Sequence, residues 1–183
     1  MTYKGQSANV TGINVQTLEQ RIGAITSSGI VYIYGDEVIA SRIGISNKTV
    51  TLNGISSEHK ITGGTSNGGN AIFLLQSGSN LIFSSNITLD GNGMSRFSPL
   101  VDIQGGGVFT MKDGSKITGN INTSDGGAVG VGGTFNMEGG IITGNNSSGT
   151  GRGGGVSIGQ NAMFNMSGGS ITANSAWQGG EYL

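Results

Sequence analysis

Along most of the chain apolar residues alternate with polar or small ones in short bursts, and each burst is bounded by glycine or asparagine. Period-two alternation marks a strand that buries one face. The bursts also recur. Phe109-Thr-Met111, Phe135-Asn-Met137 and Phe164-Asn-Met166 share an F-x-M pattern at spacings of 26 and 29 residues. A second string follows each of them: Ile117-Thr-Gly-Asn120, Ile142-Thr-Gly-Asn145 and Ile171-Thr-Ala-Asn174. Each period then restarts on a glycine pair and a third strand-like piece, as in Gly126-Gly-Ala-Val-Gly-Val131 and Gly154-Gly-Val-Ser-Ile158.

A shift back by 28 residues sets Phe73-Leu-Leu75 on Val101-Asp-Ile103, Leu81-Ile-Phe83 on Phe109-Thr-Met111, and Leu89-Asp-Gly-Asn92 on Ile117-Thr-Gly-Asn120. Ile61-Thr-Gly-Gly64 continues the register. Three short strands in 25 to 29 residues make one turn of a parallel β-helix, in which each coil hydrogen-bonds to the next. The expected fold is therefore all-β: a right-handed parallel β-helix of about six coils. Phe109, Phe135 and Phe164 should stack in one inner column, and Asn92, Asn120, Asn145 and Asn174 should form a ladder at one corner.

Residues 1–183 read as one domain, with 1–45 as N-terminal cap and first coil and 46–183 as repeating coils. In the cap, Val15, Leu18, Ile22 and Ile25 fall at helical spacing, and Thr17 with Gln20 forms a capping box, which predicts a short amphipathic helix over the first coil. The pieces Ile30–Tyr34 and Ser46–Leu52 should be the opening strands. At the other end, Gly179-Gly-Glu-Tyr-Leu183 aligns with Gly126-Gly-Ala-Val-Gly130 and breaks off inside a strand. Either the chain is truncated there or a partner covers that edge, and end-to-end self-association is one form of such cover.

Residues 46–183 resemble the right-handed β-helix superfamily that includes pectate lyases and many bacterial surface proteins. Ser46-Asn-Lys-Thr-Val-Thr-Leu-Asn-Gly54 is similar to that superfamily's entry into its first full coil. Gly126-Gly-Ala-Val129 and Phe83-Ser-Ser-Asn86 resemble the two short motifs of polymorphic outer-membrane protein repeats in autotransporter passengers, although the other coils carry F-x-M in place of F-x-x-N. The resemblance implies an extracellular or cell-surface location, or a polysaccharide-active enzyme that holds calcium on acidic residues.

Composition narrows the classes of function. Leu, Ile, Val and Phe supply 44 of 183 residues, so a core is possible only if apolar residues are spent economically, as a solenoid spends them. Nine Lys plus Arg balance ten Asp plus Glu, which leaves no basic field for nucleic acid. There is no cysteine, hence no disulfide or thiolate metal site. No apolar run is long enough to span a bilayer, and the start, Met-Thr-Tyr-Lys-Gly, lacks the apolar core of an export signal.

Catalytic patterns are sparse. Gly155-Val-Ser157-Ile-Gly159 matches the nucleophile elbow formally, but Ser157 falls mid-strand at a position equivalent to Asp102 and Gly130, not on a strand-to-helix turn. His59 is the only histidine and reads as an exposed turn residue, so neither a catalytic residue nor a metal site, and no cofactor, is expected. Asp102, Asp113, Glu138 and Lys116 are the titratable groups a lyase would draw on, and they are scattered. Lys112 and Glu138 share an outward position in adjacent coils and should pair. Thr62, Thr118, Thr143 and Thr172, interrupted by Asp90, make a column of the kind that orders water on ice-binding faces. The variable turns 63–70, 91–98 and 147–153 are where function should sit, the middle one carrying Met94, Arg96 and Phe97.

The expected function is that of a non-enzymatic, secreted or cell-surface module, adhesin-like, that binds a glycan or a protein of a host or neighbouring cell. Its candidate ligand surface comprises Arg96, Phe97, Asp102, Asp113 and Lys116. A carbohydrate-active lyase or hydrolase fragment is the alternative, and ice binding a third class.

Overall fold

In a computed structural model, which describes residues 16–67, 69–124 and 126–178, the chain winds into a parallel β-helix of about five turns. Sheet A stacks Ser28–Ile33, Thr49–Gly54, Asn80–Phe83, Val108–Met111, Thr134–Met137 and Met163–Met166. Sheet B stacks Glu37–Ile39, His59–Gly63, Ile87–Asp90, Ser115–Thr118, Ile141–Thr143 and Ser170–Thr172. Sheet C holds Ile43–Ile45, Phe73–Leu75, Val101–Ile103, Val129–Val131 and Val156–Ile158. All ladders are parallel, and the register is that of the sequence repeat: Leu81, Phe109, Phe135 and Phe164 lie over one another.

The expectation of three strands per coil falls one short from the third coil onward. Sheet D, made of Ser95–Arg96, Ile121–Asn122, Asn146–Arg152 and Ser175–Gln178, follows the asparagine corner. Its strands are mostly polar and point Arg96, Asn122 and Ser147 inward, so they lack the apolar alternation that reveals a strand.

The interior is one continuous apolar cluster running from Leu18 to Val156, against which Ile158, Ala162, Phe164 and Ile171 pack partly buried. Within it an aromatic column runs from Phe73 through Phe83, Phe109 and Phe135 to Phe164, with successive ring centroids 5.0–5.8 Å apart. The first two contacts are edge-on and the last two stacked at 15° and 12°. Both arrangements are favourable for aromatic pairs.

Helix α1, Leu18–Gly23, closes the first coil. Its capping box is formed, with the Thr17 hydroxyl accepting from Gln20 N–H and the Gln20 side chain accepting from Thr17 N–H. Leu18 and Ile22 are buried, and Ile25 packs against the core. Val15 lies outside the described residues. Lys48 Nζ donates to the carbonyls of Ile22 and Ile25 at and just past the end of the helix. Arg21 pairs with Glu37 in sheet B, and Glu19 accepts from Ala40 N–H. The cap is thus tied to the first coil by charge as well as by burial. Gly179–Leu183, expected to begin a further coil, also lie outside the described residues.

Two corner expectations are corrected. Asn120, Asn145 and Asn174 do form an internal ladder: Asn145 Oδ1 accepts from Asn120 N–H, Asn174 Oδ1 accepts from Asn145 N–H, and the Asn145 amide donates to Asn174 Oδ1 at 3.0 Å. Asn92 is not a rung. Its N–H is taken by the Asp90 carboxylate at 2.8 Å, the left-handed corner moves one residue along to Asn92 and Gly93, and the side chain faces solvent. The three following coils carry threonine at the Asp90 position and keep the left-handed residue at Gly119, Gly144 and Ala173. His59, expected in an exposed turn, opens a sheet B strand, is only 9% exposed, and places Nε2 2.8 Å from the Ile55 carbonyl. It stands in register with Ile87, at a position that faces inward.

Candidate functional site

The repeat gives sheet C an outward column of Gly44, Leu74, Asp102, Gly130 and Ser157. The loop leaving sheet D at Arg96 returns across this column before Leu100 enters the core. Gly130 allows the approach: a Cβ there would lie 3.0 Å from Pro99 Cγ and 3.9 Å from an Asp102 carboxylate oxygen. The result is an open groove of about 580 Å³, walled by Phe97 and Pro99 and floored by Asp102, Gln104, Gly130 and Ser157.

Phe97 is 77% exposed although its backbone is fixed. Its N–H donates to Gly69 O at 3.1 Å, and its carbonyl accepts from the Ser124 hydroxyl at 2.9 Å. The preceding residue supplies the anchor. Arg96 is 1% exposed, with its guanidinium donating to the carbonyls of Asn70 and Gly63. Its own carbonyl accepts from both N–H and hydroxyl of Thr123. Arg96 is therefore a positioning residue and not part of a ligand surface, which corrects the sequence expectation. Alternation along a two-residue strand sends its charge inward and the neighbouring ring outward. Burial lowers the Arg96 pKa from its ordinary value.

Asp102 is half-buried. Removal from water raises its carboxyl above the ordinary aspartate value, and the positive charge of Arg42 opposes that rise. The groove thus gathers a carboxylate, an amide, a hydroxyl and an exposed aromatic ring.

Asp113 and Lys116 meet elsewhere. They line a second groove of about 440 Å³ at the corner between sheets A and B, together with Glu58, Thr88, Ile141 and Ser170. The Thr88 hydroxyl donates to Glu58 at 2.6 Å. The candidate residues thus divide into one pair in each groove plus a buried anchor. Sequence reasoning missed Gln104 and Glu58 as groove residues, since neither belongs to a recurring string; Ser157 was within reach because its register with Asp102 is readable.

Among the described residues no three His, Asp or Glu side chains gather in a group able to hold a metal ion. No described helix is long and apolar enough to cross a membrane. Lys112 and Glu138 pair across adjacent coils at 3.5 Å, half-exposed, which contributes under ~1 kcal/mol. The threonine column is in register, but the column beside it reads Lys60, Thr88, Lys116, Ile141, Ser170. No protein-family model, curated protein or solved structure matches the chain at a significant level.

Proposed function

We propose that the protein is a non-catalytic glycan-binding module that works outside the cell, taking a sugar into the groove between Phe97 and Asp102. The observation that carries this reading is an exposed aromatic ring, on a hydrogen-bonded backbone, that lines one groove together with carboxylate, amide and hydroxyl groups. A pyranose ring offers one apolar C–H face and an edge of hydroxyls. The first suits the Phe97 ring and the second suits Asp102, Gln104 and Ser157. Because the backbone of Phe97 is already fixed, little ordering entropy opposes binding.

Binding to a panel of immobilised neutral and acidic glycans tests the proposal. Phe97→Ala should weaken the tightest interaction about tenfold, equivalent to ~1.4 kcal/mol, and Gly130→Val, which fills the floor, should abolish it. Affinity unchanged by both variants would refute this site. The second reading, a carbohydrate-active enzyme, draws on Glu58, Asp113 and Lys116 in the other groove, where two acidic groups and a basic one share a cleft. Glycan turnover with calcium present, lost in Asp113→Asn or Glu58→Gln, would replace the binding module with that enzyme. For the threonine column, ice crystals that grow unshaped in the protein's presence dismiss an ice-binding role.

A further inference from the structure

The groove beside Phe97 does not belong to one coil. Its floor is drawn from three in succession, because Asp102, Gly130 and Ser157 stand in register across Val101–Ile103, Val129–Val131 and Val156–Ile158. The stack continues past these strands, where Gly132 N–H donates to the Ile103 carbonyl and Gly159 N–H donates to the Val131 carbonyl. Coils advance by ~4.8 Å, so the floor runs parallel to the solenoid axis for roughly 10 Å from its first step to its third. An extended chain of pyranose rings advances by a similar step per ring. The length of the groove therefore matches about two to three consecutive sugars, and its volume of about 580 Å³ is more than one ring fills.

The floor changes character along that line. At its first step it carries the side chains of Asp102 and Gln104, and beyond them it is nearly bare, with Gly130, Gly132 and Gly159 beside the Ser157 hydroxyl. Gly132 has no room for a side chain, since a Cβ there would lie 2.8 Å from the Ile103 carbonyl oxygen. Charge is just as uneven. Among the described residues that line the groove, Asp102 alone carries a charge, and Arg42, whose positive charge acts on it, is not part of the lining. Asp102 is half-buried, so its field is screened less than that of a fully solvated carboxylate. A carboxylate or sulfate on a bound sugar would meet that field with no lining cation to offset it. Sugar hydroxyls meet the same carboxylate as hydrogen-bond donors.

We propose that the groove selects an uncharged, linear polysaccharide, that it holds a run of about two to three sugars along the solenoid axis, and that Asp102 is the residue that turns acidic glycans away. The inference rests on the glycan-binding reading above and adds to it the length, the direction and the charge class of the ligand. Pro99 stands over Gly130, the middle step, so the central sugar meets the apolar wall that Pro99 and Phe97 form. Its neighbour over the first step gives hydroxyls to Asp102, and the third sugar lies on the bare track beside Ser157.

Calorimetry on the full 183-residue chain tests this with three ladders of β-1,4-linked oligosaccharides of increasing length: glucose, mannose and mannuronate. Salt is kept low and constant, so that screening does not hide repulsion. Affinity for a neutral ladder should climb at least about tenfold up to three units and then level off. Mannuronate of equal length should bind at least about tenfold more weakly, and Asp102→Asn should close that gap to within about threefold. Ser157→Trp, which fills the third step, should remove the gain between two units and three. Should that variant fail to fold, the length dependence of the parent decides. A single sugar bound as tightly as three, mannuronate bound as tightly as the neutral ladders, or discrimination unchanged in Asp102→Asn would each overturn this inference while leaving a glycan site in the groove. No binding to any ladder would overturn the glycan reading together with it.

Discussion

Ala173 occupies the corner position that Gly119 and Gly144 hold in the preceding coils, at φ +54° against +71° and +66°. Left-handed backbone costs a residue with a Cβ about 1–2 kcal/mol, of which glycine's larger unfolded-state entropy returns part. Ala173→Gly should therefore stabilise the protein by about 0.5–1 kcal/mol in urea unfolding. At Asp102 the effect is one of pH. Its folded-state pKa is raised, so the protonated form favours folding: the contribution is complete below the unfolded-state pKa and disappears as pH rises through the folded one. The difference in stability between the parent and Asp102→Asn should shrink toward acid and widen toward neutrality, in the variant's favour. Residue-level reading of the sequence fails where a side chain answers to a distant contact. Arg96 looked like a surface cation because nothing in the string Met-Ser-Arg-Phe says that the carbonyls of Gly63 and Asn70 are waiting for it. Asn92 looked like a ladder rung because the repeat cannot show that Asp90 captures its N–H.

Among the elements, the asparagine ladder and the phenylalanine column were both legible, since each is a residue type recurring at coil spacing. What was hidden is where the ladder stops. Asn120 Oδ1 is buried without a hydrogen-bond partner among the described residues, at the rung where Asn92 would have donated. Asn145 sits mid-ladder: its amide donates to the carbonyls of Ile117 and Thr143 and to Asn174 Oδ1, while its own oxygen accepts from Asn120 N–H. Asn145→Ala should cost about 2–3 kcal/mol through lost bonds and stranded partners. Asn92→Gly should change stability by less than about 0.5 kcal/mol. Phe135, fully buried between two stacked rings, should cost about 3–5 kcal/mol as Phe135→Ala. Thermal melts of the three variants rank them directly.

For the whole molecule, the repeat disclosed the architecture because a parallel β-helix writes its own stacking into the sequence: similar strings a coil apart are neighbours in space. It could not disclose the grooves, which arise where loops differ between coils. The 91–100 segment crosses sheet C only because Gly130 leaves room for Pro99. A site formed by departures from a repeat has no period to betray it. Each coil touches chiefly the one before and the one after, so unfolding free energy is close to a sum of neighbouring terms, and damage to one coil should loosen its neighbours first.

The register of sheet C sets Phe73, Val101 and Val129 over one another. Excising residues 101–128 would join Leu100 directly to Val129 and bring the strand at 129–131 onto the one at 73–75, with every inward side chain still facing inward. The shortened chain should fold cooperatively, whereas removal of one residue fewer or more would invert the pleat of the junction strand. Such a molecule can change length only in whole steps, and duplication or loss of a single genetic unit would suffice to set how far its surface reaches.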